Sequence, residues 1–197
     1  MARTPDLERR QELLDRIVDY LAENGLGQAT LRPMAASLGV SINRLVHHFG
    51  TKEELLAAAL QRAIDQQIEL QNEWLRRNPQ LSMAEIYRKW WKWISDSDAN
   101  LARTRLNYEA AALDTKVSGL AGSVRADQIG VWRHVANEHF VVAGMSSDQA
   151  ALESSIAKAT FTGLVMDLLA SGDRRRLNRA FNEFAERLES VAPRATS

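Results

Sequence analysis

The sequence predicts an all-α fold of about nine helices, and three observations support this class. Apolar residues recur at spacings of three and four, as on one face of a helix, rather than alternating as in a strand. Residues 80–192 contain no proline, and since proline is excluded from helix interiors, long helices are permitted there. Most of the ten glycines fall in small clusters between the apolar segments, where they would end helices.

Composition limits the class of protein further. The chain has 197 residues, 45% of them hydrophobic, with 25 basic and 25 acidic side chains and no cysteine. This length can bury a core in one or two domains. The zero net charge argues against a uniformly basic nucleic-acid binder, and the lack of cysteine excludes disulfides and thiol catalysis. Without a signal-peptide pattern or an apolar run of about 18 residues, we expect a cytoplasmic protein with no membrane partner.

The first predicted helix runs from about Asp6 to Asn24. Thr4 is a suitable N-cap, and Pro5 suits the first helical position. Gly25 is expected to end the helix. One apolar face is formed by Leu14, Ile17, Val18 and Leu21.

Two short helices follow, and together they form a helix-turn-helix pattern. The second helix is predicted over Leu31–Leu38 after Thr30, and the third begins after Ser41 and ends near His48. Gly39 supplies the tight turn between them. In such a motif the second of the two helices can lie in the major groove of DNA.

The fourth helix is predicted to begin at Thr51, which forms a capping box with Glu54. We place a head domain at residues 1–52 and a body at 53–197, with the fourth helix (51–78) connecting them. A loop is expected from Thr115 to Ser123. The other predicted helices cover Ser82–Ser95, Asp98–Leu113, Val124–Val142, Asp148–Ala170 and Asp173–Val191.

Charge is distributed unevenly around the helix-turn-helix. No aspartate or glutamate occurs between Asn24 and Lys52, although six acidic residues precede this window and more resume at Glu53. The window contains Arg32, Arg44, His47 and His48. A surface that approaches DNA phosphates requires such a lack of acidic groups.

Residues 30–55 read TLRPMAASLGVSINRLVHHFGTKEEL and resemble the DNA-binding segment of the tetracycline-repressor-like (TetR) family. The resemblance is specific over about residues 6–60 and weakens through the body, although residues 162–173 are again similar. It implies a homodimeric transcriptional regulator, most simply a repressor released from a palindromic double-stranded DNA operator by a small-molecule effector.

The resemblance also implies roles for individual residues. Contacts to DNA are expected from Thr30, Arg32, Ser41, Ile42, Asn43, Arg44, His47 and Lys52. Of these, Arg32 and Arg44 would reach base edges, and Lys52 would share a phosphate with backbone N–H groups of the fourth helix. Ile42 replaces a common lysine and would instead meet a thymine methyl group. Val46 replaces the usual tyrosine, so a hydroxyl for phosphate contact is lost there. The alternatives are that Thr30 is only an N-cap and that the two arginines are solvated surface charges.

The body contains aromatic residues that are candidates for an effector pocket. An apolar or aromatic ligand would contact Tyr87, Trp90, Trp93, Tyr108 and Trp132. The alternative is that these side chains form a plain aromatic core, in which case the body serves dimerisation only.

The last two helices are predicted to form the dimer interface. The final helix has apolar residues in heptad-like steps, namely Leu177, Phe181, Phe184 and Leu188. The preceding helix contributes Ile156, together with Ala159 and Gly163, whose small size permits close helix approach. The alternative is that all of these residues are buried within one chain.

We predict no cofactor, no metal site and no enzymatic activity. An all-α enzyme remains a second hypothesis, with Glu109, His134, His139 and Asp167 as its candidate residues. No nucleophile–base spacing, phosphate-binding loop or HExxH motif supports it.

Overall fold

The computed structural model describes residues 4–113 and 136–191, with side chains from 6 to 110 and from 136 to 191. The described residues are helices and short connections without a strand, which confirms the predicted all-α class. None of the described helices is both long and apolar enough to span a bilayer. The helices are α1 Thr4–Asn24, α2 Leu31–Leu38, α3 Ile42–Phe49, α4 Lys52–Arg77, α5 Met83–Ser95, α6 Asp98–Leu113, α7 136–142, α8 Ser147–Ser171 and α9 Arg174–Val191.

The observed helix bounds follow the predicted ones to within a few residues. Asp173, predicted as the first residue of the last helix, lies before it, because its carboxylate accepts a hydrogen bond from the Arg176 N–H (3.0 Å) and so caps α9. The predicted loop from Thr115 to Ser123 lies outside the described residues, as does the first part of the helix predicted from Val124.

By its contacts the chain divides into two compact units. Unit 1 comprises Met1–Glu69 and Ala99–Ala126, and unit 2 comprises Leu70–Asp98 and Asp127–Ser197. Within the described residues, the chain passes between them inside α4 and at the start of α6. This division differs from the boundary predicted after residue 52, because most of α4 and α6 fall in the same unit as the helix-turn-helix.

Unit 1 has an aliphatic core built from the apolar faces of its helices. Ile17 and Leu21 of α1, Leu45 of α3, Leu55 of α4 and Leu106 of α6 are all essentially inaccessible to solvent. They belong to one continuous cluster. The apolar helix faces that the three-four spacing predicts therefore pack against one another within this unit.

Unit 2 has an aromatic core formed by α5, α8 and α9. The ring of Phe181 on α9 stacks in parallel on Trp91 of α5, with 4.9 Å between ring centroids. Tyr87 of α5 contacts Phe161 of α8 (5.0 Å) and Phe184 of α9 (5.4 Å). The Trp91 indole N–H also donates a hydrogen bond to the Asn178 side-chain oxygen (2.7 Å).

Within the single chain, this packing covers most of the α9 seam that was predicted as part of a dimer interface. Leu177, Phe181 and Leu188 are 1%, 2% and 5% exposed within the single chain, and Phe184 is half-buried. In the single chain their surface is covered by α5 and α8. The heptad-like steps of α9 are explained by intramolecular packing.

The exposed apolar stripe lies instead on α8. Its members follow steps of four and three residues and all face solvent in the single chain: Leu152, Ile156, Ala159, Gly163 and Met166. Three of the predicted interface residues, namely Ile156, Ala159 and Gly163, belong to this stripe.

Candidate nucleic-acid interface

The turn between α2 and α3 has the predicted helix-turn-helix geometry. Gly39 adopts the left-handed conformation (φ 66°), which favours glycine because it has no Cβ. The Val40 N–H donates a hydrogen bond to the Ala35 carbonyl (3.0 Å) and closes the turn. Since Leu45 and Phe49 of α3 are buried, the opposite side of α3 faces outward.

Two polar residues precede the helices of the motif, and the structure distinguishes their roles. Ser41 caps α3, because its hydroxyl accepts a hydrogen bond from the Arg44 N–H (3.1 Å). Thr30 lies in extended conformation before α2 and makes no side-chain cap bond. No side-chain hydrogen bond therefore supports the interpretation of Thr30 as only an N-cap.

The eight residues predicted to contact DNA lie on α2, α3 and the residues that border them. Seven of them are exposed, and Lys52, the first residue of α4, is half-buried. Val46 is also exposed on α3. His48 is half-buried, with its ring near the rings of His47 (5.4 Å) and Phe49 (6.0 Å), as expected for a structural residue. The outward side of the motif thus carries basic residues and no carboxylates, together with the exposed apolar side chains of Ile42 and Val46.

Two arginines that sequence reasoning missed position this motif on α1. Arg16 donates to the Leu38 carbonyl at the end of α2 (2.5 Å). Arg10 donates to the His48 carbonyl near the end of α3 (3.3 Å) and lies over the Phe49 ring. Cations at these carbonyls satisfy orphan acceptors and oppose the negative end of the helix dipole. The acceptors are backbone atoms distant in sequence, so no residue pattern reveals them.

The start of α4 carries the predicted capping box. The Thr51 N–H donates to the Glu54 carboxylate (2.7 Å), and the Glu54 N–H donates to the Thr51 hydroxyl (3.2 Å). These hydrogen bonds lower the pKa of Glu54, the backbone bond having the larger effect. Gly50 adopts a positive φ of 78°, and a Cβ there would collide with the Glu54 carboxylate. Because the box occupies two N–H groups, the Lys52 ammonium remains the stronger candidate for an anion contact.

Among the described effector candidates, Tyr87, Trp90 and Trp93 belong to unit 2 and Tyr108 belongs to unit 1. Tyr87 and Trp90 are buried in unit 2, where burial raises the pKa of Tyr87. The Trp90 ring contacts the Trp93 ring, with 5.4 Å between ring centroids. The Trp90 indole N–H donates a hydrogen bond to the Gln71 side-chain oxygen, with 3.2 Å between nitrogen and oxygen. Tyr108 is half-buried and belongs to unit 1. Trp132 lies outside the described residues.

The carboxylates considered for an enzyme have structural partners. Glu109 accepts a hydrogen bond from the Leu26 N–H (2.8 Å) within unit 1. Asp167 pairs with Arg176 (2.7 Å) within unit 2. His134 lies outside the described residues, and His139 is half-buried on α7. Among the side chains that the structure describes, no three His, Asp or Glu residues are grouped as metal ligands.

Sequence comparison identifies the class of domain that carries this motif. Residues 13–59 match the family of bacterial regulatory proteins called the tetR family. The HTH-type transcriptional repressor KstR2 of Mycobacterium tuberculosis is 39% identical over 57 residues, and so is the KstR2 of Rhodococcus jostii. That segment is 29% of this chain and 28% of the KstR2 sequence. Residues 13–59 are therefore similar to the tetR family, which confirms the resemblance predicted for this segment.

Solved structures extend the likeness from this domain to the whole fold. A transcriptional regulator from Rhodococcus sp. Rha1 aligns with a TM-score of 0.76 at 23% identity, covering 95% of this chain and 99% of its own. A second Rhodococcus structure, named for the TetR family of transcriptional regulators, aligns with a TM-score of 0.75 at 18% identity over 92% and 98% of the two chains. At these identities the likeness concerns the fold alone.

Proposed function

We propose that the protein is a homodimeric transcriptional regulator that represses by binding a palindromic DNA operator and is released by a small apolar or aromatic effector. The observation that carries the proposal is the outward surface of α2 and α3. It is exposed, holds Arg32, Arg44 and His47, and has no carboxylate over the whole window from Asn24 to Lys52. Such a surface can approach phosphates without repulsion.

Within this proposal the exposed residues divide into two groups. Arg44 and Arg32 reach base edges, and a bidentate arginine–guanine pair gives about 1–3 kcal/mol of discrimination. Thr30, His47 and Lys52 contact phosphates and set the position of the head on the duplex. Ser41 holds the start of α3 in place, and Asn43 lies beside Arg44 on the surface that enters the groove.

The proposed dimer uses the α8 stripe rather than the α9 seam. Ile156 is 50% exposed and Met166 is 46% exposed, and exposed apolar side chains at helical spacing mark an interaction surface. Ala159 and Gly163 would allow the α8 helices of two copies to approach closely. A two-fold axis through this stripe would present two α3 helices to half-sites about 34 Å apart.

The proposed effector response is a shift in population between two conformations of the dimer. A ligand that prefers one conformation would change the separation of the two heads and weaken operator binding. The support is that α4 contains residues of both units. Tyr87, Trp90 and Trp93 of α5 remain the candidate effector contacts in the described residues of unit 2.

Operator binding is tested with duplexes selected from a random library by the full-length protein. Arg44→Ala is expected to relax base preference at one position per half-site, whereas Lys52→Ala is expected to weaken all sequences and to reduce the salt dependence. Fluorescence anisotropy at several salt concentrations measures both effects. Arg179→Ala, an exposed charge on α9, is the matched control. Unchanged binding by both head variants would contradict the proposed surface.

A second candidate is a DNA-binding dimer without an effector, in which the aromatic residues only form a core. The ring packing of Tyr87 against Phe161 and of Trp90 against Trp93 favours it. The two candidates are distinguished by titrating the protein–operator complex with a panel of small aromatic and aliphatic compounds. Saturable release of the operator, accompanied by a change in tryptophan fluorescence, supports the effector, and no release by any compound supports the second candidate.

A further inference from the structure

The recognition helix α3 exposes an apolar pair on one flank of the acid-free surface. Ile42 is 37% exposed and Val46 is 45% exposed. Residues four apart lie one turn above each other on a helix, with about 5–6 Å between their Cβ atoms. Neither side chain has a hydrogen-bond donor or acceptor, so neither can contact a phosphate or a polar base edge productively.

The helical positions around this pair define two flanks of α3. At about 100° per residue, Asn43 and His47 lie at the centre of the outward side. Ile42 and Val46 lie together on one flank of that centre, and Arg44 lies on the other. The helix therefore presents an apolar strip and a cationic group on opposite sides of a polar ridge.

We propose that Ile42 and Val46 read thymine bases in the operator through their C5-methyl groups. This inference rests on the proposed function and specifies what the same surface recognises. The thymine methyl is the apolar group that distinguishes base pairs in the major groove. An apolar strip on the helix that enters this groove therefore matches a T·A pair and has no polar group to offer the other bases.

The spacing of the pair specifies where the thymines lie. Base pairs rise by about 3.4 Å along the duplex axis, so side chains about 5–6 Å apart meet bases one or two steps from each other. Each half-site is expected to contain two such thymines, on either strand. The resembled family usually has a tyrosine at the position of Val46, and its hydroxyl contacts phosphate. Val46 contacts a base instead.

The experiment removes only the methyl groups from the DNA. Each thymine of a duplex selected by the full-length protein is replaced in turn by deoxyuridine, which keeps every hydrogen-bonding group. We expect about fourfold weaker binding per critical position, as the burial of one methyl-sized group implies. In Ile42→Ala and Val46→Ala proteins the loss at the corresponding position should disappear, whereas Val142→Ala, an exposed valine on α7, should retain it.

The outcomes separate this inference from the proposed function. Enrichment of no sequence in the selection would overturn the proposed function and the inference together. A selected half-site that lacks thymine, or one in which deoxyuridine is tolerated at every position, would overturn the inference alone and leave sequence-specific binding intact. Because Ile42 and Val46 are exposed, thermal unfolding of the alanine variants should match wild type, and this checks that lost discrimination is not lost folding.

Discussion

Helices α3 and α9 both carry apolar residues at helical spacing, yet the structure uses them in opposite ways. On α3 the apolar core-facing residues are few, and the side chains beside them, including Ile42 and Val46, remain exposed. On α9 the whole heptad-like seam is directed into unit 2. The comparison teaches that spacing identifies a helix face but not the surface that covers it.

The two helices are also held by different forces. Besides the burial of Leu45 and Phe49, α3 has polar contacts to its backbone groups from the Ser41 cap and from Arg10. Ring packing holds α9, with Phe181 stacked on Trp91 at its centre. Substitutions in α9 should therefore lower the free energy of unfolding. Substitutions near α3 should instead change DNA binding or weak pH-dependent contacts.

The largest expected effect comes from removing the stacked ring of α9. Phe181→Ala should reduce the free energy of unfolding by about 3–5 kcal/mol, because truncating a buried phenylalanine loses burial and leaves a cavity. Denaturant unfolding at two protein concentrations measures it, with the exposed neighbour Asn182→Ala as control. If Phe181 were an interface residue instead, the loss would vanish at the lower concentration, where wild type would also be dissociated.

The next effect concerns the α8 stripe, which replaces the α9 seam in the proposed dimer. Ile156→Asp should weaken self-association by at least about 100-fold, or about 2.7 kcal/mol, because it buries an unpaired charge at the interface. Sedimentation over a range of concentrations measures the dissociation constant. Ser155→Asp adds the same charge one residue away and serves as control. A dimer that persists in Ile156→Asp would show that α8 does not mediate association.

How far the sequence predicted these regions depends on where each residue finds its partner. The α2–α3 turn and the Thr51–Glu54 capping box were predictable because donor and acceptor lie within a few residues. The Arg16–Leu38 contact and the stacking of Trp91 on Phe181 were not, because they join positions 22 and 90 residues apart. The surface that covers α9 could not be predicted for the same reason, since a seam buried by α5 has the same spacing as a seam buried by a second copy.

The smallest expected effect is the pH dependence of the stabilisation that the capping box gives to the α3–α4 connection. The aromatic packing of α9 should show no such dependence. In the folded state the Thr51 hydrogen bonds lower the pKa of Glu54 below its usual value of 4.5, so the stabilisation is present above about pH 4.5 and is lost as pH falls below it. The difference in unfolding free energy between wild type and Glu54→Gln should therefore be largest near neutral pH and shrink towards pH 3. Glu53→Gln removes the same charge one residue away and controls for general electrostatics. An equal, pH-independent change in unfolding free energy for both variants would mean that the capping contact contributes nothing beyond charge. The contrast between the polar α3–α4 connection and the aromatic packing of α9 would then depend on binding data alone.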